Sequence, residues 1–179
     1  MKATSNPTAL RTQRAIKSSL KSLMTQDTFS HITVTEICQE AGVTRQAFYT
    51  NFRSKEDVFS SVLQEIQTEW RSSLPEQELS SLYEICIALY QTWYDHRELL
   101  DLIVRDNLFP LLVENLLPSS FPVRYNGDVP PRKQRQLEPV ARMLMVGGVA
   151  QGLVYWSKGR YRETPEDLAL ATTSISVND

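Results

Sequence analysis

The sequence predicts an all-α fold: a small three-helix head containing a helix-turn-helix, a long fourth helix, and a larger helical body. Three observations carry this. Apolar residues recur at helical spacing in one segment after another, as in Ile16, Leu20 and Leu23 or Val58, Val62 and Ile66. Helix-start signals precede several of these stripes, with a hydroxyl residue three positions before an acid at Thr33/Glu36, Ser54/Asp57 and Thr164/Asp167. Between two short stripes stands Gly42, the residue type that ends a helix at positive φ.

In chain order, residues 1–7 read as a basic-polar arm ending at Pro7. Thr8 can cap a first helix whose stripe is Ile16, Leu20, Leu23 and Met24, with Arg11, Arg14, Lys17 and Lys21 on its other faces. Phe29 and Ile32 are expected to close the head. The Thr33/Glu36 box starts a second helix at about Val34, with Ile37, Cys38 and Ala41 inward. After Gly42, Val43 turns back toward the core, and Thr44 caps a third helix with Ala47, Phe48 and Phe52 on its buried side.

The outer side of that third helix carries Thr44, Arg45, Gln46, Tyr49, Thr50 and Asn51, with Arg53 and Lys55 just beyond, and no acid occurs between Glu40 and Glu56. A plain solvated face would be richer in Glu and Lys. Arg and Gln match guanine and adenine edges bidentately, while Tyr, Thr and Lys commonly hold phosphates. A helix pair of this kind lets its second helix enter a DNA major groove while the first braces the backbone.

The order of a capped helix, Ala41-Gly42-Val43, Phe48-Tyr49, Phe52 and then Ser54-Lys55-Glu56-Asp57 resembles the DNA-binding signature of TetR/AcrR-type transcriptional regulators over roughly residues 8–66. The resemblance implies phosphate contacts by Thr44, Tyr49 and Lys55, and base contacts by Arg45, Gln46 and Thr50. With Thr33 and Asn51 these are the candidate DNA-binding residues. Ala47 and Asn51 depart from the family pattern, standing where a hydroxyl residue and a histidine are frequent.

Ser54 and Asp57 open the fourth helix, which carries Val58, Phe59, Val62, Leu63, Ile66 and Trp70. The head is placed at residues 1–53, a linker helix at 54–74, and the body at 75–179, with Pro75 marking the break. A helix over residues 79–94 presents Leu82, Ile85, Cys86, Leu89, Tyr90 and Trp93; after His96 and Arg97 the helical pattern resumes and runs to Pro110. Pro110 suits the first turn of a further segment ending near Pro118, and residues 119–135, rich in Pro, Gly and charge, read as a loop. Residues 137–158 form an apolar helix containing Gly147, Gly148 and Gly152, each costing about 1 kcal/mol against Ala and so calling for a close helix neighbour. Thr164, Pro165 and Asp167 open a last helix with Leu168, Ala171, Thr172 and Ile175 on one face.

The net charge of −2 hides an asymmetry: residues 1–55 hold eight Lys/Arg against three Asp/Glu, and the remainder eleven against eighteen. A basic head on an acidic body places the attractive field at the motif. Cys38 and Cys86 read as buried apolar thiols suited to a reducing cytoplasm; with His31 and His96 they offer no metal-ligand spacing. The first residues lack an apolar core of signal-peptide type, and residues 140–156 are too short and too interrupted to span a bilayer. No phosphate loop, nucleophile elbow or Cys-His pair supports an enzyme, and no cofactor is expected. A helical module binding a protein partner is the remaining alternative, against which stands the polar, acid-free face.

The sequence thus leads to a cytoplasmic DNA-binding transcriptional regulator, a repressor rather than an activator. Tyr83, Tyr90, Trp93, Tyr94, Phe109, Met143 and Trp156 are the candidate lining of an effector cavity, although aromatics at helical spacing serve equally as core; Arg105 and Asn107 could orient a polar group there. Gly148, Gly152, Leu168, Ala171 and Ile175 are the candidate dimer interface, since in TetR-like proteins two C-terminal helices from each subunit form a four-helix bundle. The expected partners are an operator duplex, a second copy of the chain and a small-molecule effector of unknown identity.

Overall fold

The computed structural model describes residues 7–74, 81–116 and 130–174. Among the described residues there are nine helices and no strand: α1 (Pro7–Gln26), α2 (Val34–Ala41), α3 (Arg45–Asn51), α4 (Lys55–Ser73), α5 (Leu82–Asp95), α6 (Arg97–Arg105), α7 (Phe109–Asn115), α8 (Pro131–Lys158) and α9 (Pro165–Ser174). No described helix is long and apolar enough to cross a membrane. The arm at residues 1–6, the break at Pro75, the loop at 119–129, Pro118 and Ile175 lie outside the described residues.

The chain separates into two compact units, Met1–Glu65 and Ile66–Asp179, and the boundary falls inside α4. In the first, α1 packs on α2 and α3. Ile16, Leu20, Met24, Ile37, Phe48, Val58 and Phe59 are fully buried, and the Phe29 and Phe59 rings meet at 5.4 Å. One charge enters this core. Lys17, only 8% exposed, pairs with Glu65 on α4. A buried ammonium is costly without a partner, so this pair ties α1 to the third turn of α4. Lys55, in the first turn of α4, ties the same helix to the turn after α1, giving its three N–H groups to the carbonyls of Phe29, Ser30 and Ile32 at 2.7, 2.9 and 2.7 Å.

In the second unit α5 packs on α9, α8 packs on α6 and α7, and α8 also meets α9. Trp156 is the centre of an aromatic cluster with Tyr90, Tyr94 and Tyr161 at ring distances of 6.0, 5.7 and 5.2 Å. Its indole N–H donates to the Glu163 carbonyl at 2.9 Å. On α4, Glu69 bonds the His96 ring at 2.8 Å and the Trp70 indole donates to the Ile85 carbonyl at 3.3 Å.

Three helix limits differ from the sequence reading. The α6 stripe stops at Arg105 because Asn107 takes φ 58°, with Leu108 N–H bonded to Ile103 O and Asn107 N–H to Val104 O; the stop precedes Pro110, which sits inside α7. The helix α8 begins at Pro131, so residues 131–135 are its first turn and not loop, and the absent proline N–H is no loss there. The helix α5 starts at Leu82, where Ser81 and Glu84 form a capping box. At the other end of α8, Arg160 and Tyr161 both have positive φ, 57° and 56°. Non-glycine residues in that region cost on the order of 1–2 kcal/mol each, offset here by tertiary bonds of Tyr161.

Candidate nucleic-acid interface

The recognition face is built by two caps and a glycine turn. Thr33 Oγ1 accepts the Glu36 N–H at 3.2 Å, and Glu36 Oε2 accepts both the Thr33 N–H and its hydroxyl at 2.7 Å. Those bonds to the hydroxyl and the amide hold the Glu36 carboxyl below its ordinary pKa. Gly42 takes φ 62°, with its N–H on Gln39 O and the Val43 N–H on Cys38 O, reversing the chain within two residues. Thr44 then caps α3, its hydroxyl oxygen accepting the Ala47 N–H at 3.1 Å. Phe48 is fully buried, Phe52 follows the helix in extended backbone and is buried too, and α3 is thereby locked with its opposite side outward.

Arg45, Gln46, Tyr49 and Thr50 share that outward side, Tyr49 being 52% exposed. Arg45 is held in place: Nη1 donates to Thr35 Oγ1 at 2.7 Å, Nη2 to Tyr49 OH at 3.4 Å, and the guanidinium lies 5.8 Å from the Tyr49 ring centre. Thr35, on the first turn of α2, was not singled out in the sequence; only its contact across the turn identifies it. Thr44 keeps its hydroxyl proton for an incoming acceptor, since the capping bond uses only its oxygen. Thr50 donates to Gln46 O and Asn51 to Ala47 O, both at 2.8 Å, so each turns one donor back onto α3.

Two candidates have another occupation. The donors of Lys55 are all taken by the three carbonyls after α1, so this ammonium acts inside the head and is not presented as a free phosphate clamp. The Thr33 hydroxyl is both acceptor and donor to Glu36.

In the C-terminal unit, Tyr90, Trp93 and Trp156 are buried, and Tyr90 OH meets Thr172 Oγ1 at 2.8 Å. Tyr90, Tyr94 and Tyr161 form the aromatic cluster around Trp156. Met143 is 69% exposed and Tyr83 also reaches the surface. Of the expected lining, Phe109 alone borders the cavity of about 280 Å³ that lies among α6, α7 and α8, lined by Ile103, Val104, Asn107, Phe109, Gln151, Val154 and Lys158. Arg105 pairs with Asp106 at 2.7 Å. The apolar members of that lining gave the same helical-stripe signal as any core residue.

The glycines divide. A Cβ at Gly148 or Gly147 would meet nothing within 4 Å, whereas one at Gly152 would sit 3.2 Å from Tyr90 OH. Gly152 therefore packs against the chain's own α5, and Leu168 is buried inside the unit. Ala171 is exposed.

Residues 20–62 match the model of the family described as bacterial regulatory proteins, tetR family. The HTH-type transcriptional regulator AcrR of Shigella flexneri is 34% identical over 77 residues, which is 39% of this chain and 36% of that regulator, so the match spans about a third of the relative's length. Two solved structures are similar along most of the chain: the dihydroxyacetone kinase operon activator DhaS (TM-score 0.53, 14% identity, 91% of this chain and 92% of that one) and the fatty acid degradation regulator FadR from Bacillus halodurans (TM-score 0.52, 16% identity, 93% of each). At such identities the likeness is one of fold. The head that matches is the one whose caps, glycine turn and outward face are described above, and it is this part of the chain that is similar to the tetR family of regulators and to AcrR.

Proposed function

We propose that the chain is a ligand-responsive repressor that binds a palindromic operator as a homodimer, with residues 1–53 as the DNA-binding part, 54–74 as connecting helix and 75–179 as the dimerising and sensing part. The observation that carries the reading is the outward face of α3, where Arg45 is pre-positioned by Thr35 and Tyr49 beside exposed Gln46 and Thr50 with no acid among them. An arginine already held in one geometry loses less freedom on meeting a guanine edge.

Dimerisation is supported by α8. Leu137, Val140, Leu144 and Tyr155 are exposed on the side opposite its buried Val146, Val149 and Leu153, and the open Gly147 and Gly148 lie on the same stripe. A helix apolar on both sides asks for a second neighbour. Two-fold pairing would present two recognition helices to half-sites about one DNA turn apart, roughly 34 Å.

The test is binding of genomic promoter fragments across a salt series. A preferred fragment with approximate two-fold symmetry, bound with a steep inverse salt dependence, is the expected result; equal affinity for all fragments would remove sequence-specific regulation. The fold neighbour described as an operon activator favours a second reading in which the chain activates. Deleting the gene and measuring transcripts from the bound promoter decides between them: a rise supports repression, a fall activation.

A further inference from the structure

We infer that the cavity among α6, α7 and α8 is a receptor site for a small organic carboxylate with a short apolar or aromatic body. The inference rests on the C-terminal unit being a sensing part and names the ligand class and the place. The walls are apolar through Ile103, Phe109 and Val154, while the polar groups on the lining are two carboxamides, Asn107 and Gln151, and one ammonium, Lys158. No acid is on the lining, so the site offers charge complementarity to an anion and none to a cation. Among the described residues no carboxylate forms an ion pair with Lys158.

The size and the donor set narrow the ligand. About 280 Å³ is roughly the volume share of nine waters, which suits a molecule of about ten non-hydrogen atoms. A single ammonium with amide donors, and no arginine fork, matches one negative charge better than the two of a phosphate ester. Apolar walls lower the local dielectric, so an ammonium at the edge of such a site attracts a carboxylate more strongly than one in open water. The carboxamide of Asn107 is carried on a backbone fixed by the α6 stop, where Leu108 N–H bonds Ile103 O at 2.9 Å. Occupancy would bear directly on α8, because Gln151, Val154 and Lys158 belong to the helix that also carries the outward Tyr155.

The experiment is calorimetric titration of the full chain with phenylacetate and hexanoate, each against its neutral amide, and with hexylammonium. The wild type is expected to bind at least one carboxylate tenfold or more tighter than the matching amide, and not to bind hexylammonium. Lys158→Gln should erase the preference by weakening the carboxylate tenfold while leaving the amide unchanged, and Val154→Trp should abolish both by filling the space. Lys158 is exposed at the end of α8, so its replacement leaves the fold intact and keeps the test valid if Val154→Trp fails to fold. Absence of carboxylate binding, equal binding of acid and amide, or a preference that survives Lys158→Gln would overturn the assignment. Operator binding measured on the same samples separates the two readings: DNA binding without carboxylate binding removes only the cavity assignment, and carboxylate binding without DNA binding removes only the regulator.

Discussion

The Tyr161 hydroxyl donates to the Asp101 carboxylate at 2.6 Å while the Tyr161 backbone stands at φ 56°. Ser157 donates to the same oxygen at 2.6 Å, and the phenol is also 3.0 Å from Arg97 O. Burial and the Asp101 carboxylate push the phenol above its ordinary pKa, so it stays a donor. A strained turn is thus held by a side-chain bond between α6 and the α8–α9 connection. Tyr161→Phe should destabilise the chain by about 1–3 kcal/mol, the cost of a lost bond to a charged acceptor. Arg160→Gly, at φ 57°, should instead raise stability by up to about 1 kcal/mol, because glycine adopts that conformation without a Cβ penalty. Thermal melts of both variants check the opposite signs.

Lys55 and Arg45 should separate in DNA binding. Lys55→Met leaves three carbonyls without their donor and should cost the head about 1–3 kcal/mol of stability while leaving the salt slope of operator binding unchanged. Arg45→Ala should cost about 1–3 kcal/mol of affinity and relax the preference at one base pair. Titrations at several salt concentrations distinguish them; a slope shallower by about one unit for Lys55→Met would return that residue to the phosphate backbone.

Breaking the Lys17–Glu65 pair should be asymmetric. Glu65→Gln strands an ammonium in the core, and a loss of about 1–3 kcal/mol is expected because Glu65 itself is half exposed to water. Lys17→Met replaces the charge by an apolar chain of similar length and should be neutral or stabilising. Urea unfolding of the two variants and their combination measures the coupling, and equal losses from both single changes would contradict it.

On α8, Leu144 is 72% exposed and a Cβ at Gly148 meets nothing within the chain. Leu144→Glu and Gly148→Leu should therefore leave each subunit folded and lower dimer affinity. Sedimentation across a concentration series, with circular dichroism as the control, reads this out. A wild type that stays monomeric at high concentration would refute the α8 surface.

Alkaline stability should carry the mark of Cys86, whose thiol burial pushes up to about 11. An unfolded thiol titrates near pH 8.5. The folded chain therefore holds a proton that the unfolded chain has lost, and stability falls as pH rises from about 9 to 11. Cys86→Ala should flatten the fall in melting temperature over that window. Iodoacetamide should leave Cys86 unmodified at pH 9 until denaturant is added.

What could be read from the sequence was local. The boxes at Thr33/Glu36 and Thr164/Asp167 form between residues three apart, and each closes as expected, with Thr164 N–H on Asp167 Oδ2 at 2.9 Å. Gly42 announces its own φ. The stop at Asn107 was hidden because asparagine at positive φ is a weaker signal than Pro110 three residues on. Lys55 reaches carbonyls 23 to 26 positions earlier, a pairing that no spacing rule contains. Tyr90, Tyr94 and Trp156 have the periodicity of a core and of a pocket wall alike, and their ring contacts at 5.7 and 6.0 Å pair residues far apart in the chain that no spacing rule brings together.

The two lysine ties set where this head can be cut for transplantation onto another sensor. A graft ending at residue 53 would carry Lys17 without Glu65 and the turn after α1 without Lys55, so the borrowed head would arrive with an uncompensated core charge and three unbonded carbonyls. A junction after Glu65 keeps both ties inside the donor piece. Hybrid regulators joined there should retain the parent's operator preference, and those joined eleven or twelve residues earlier should be soluble only where the recipient helix happens to supply an acid and a lysine at the same two positions.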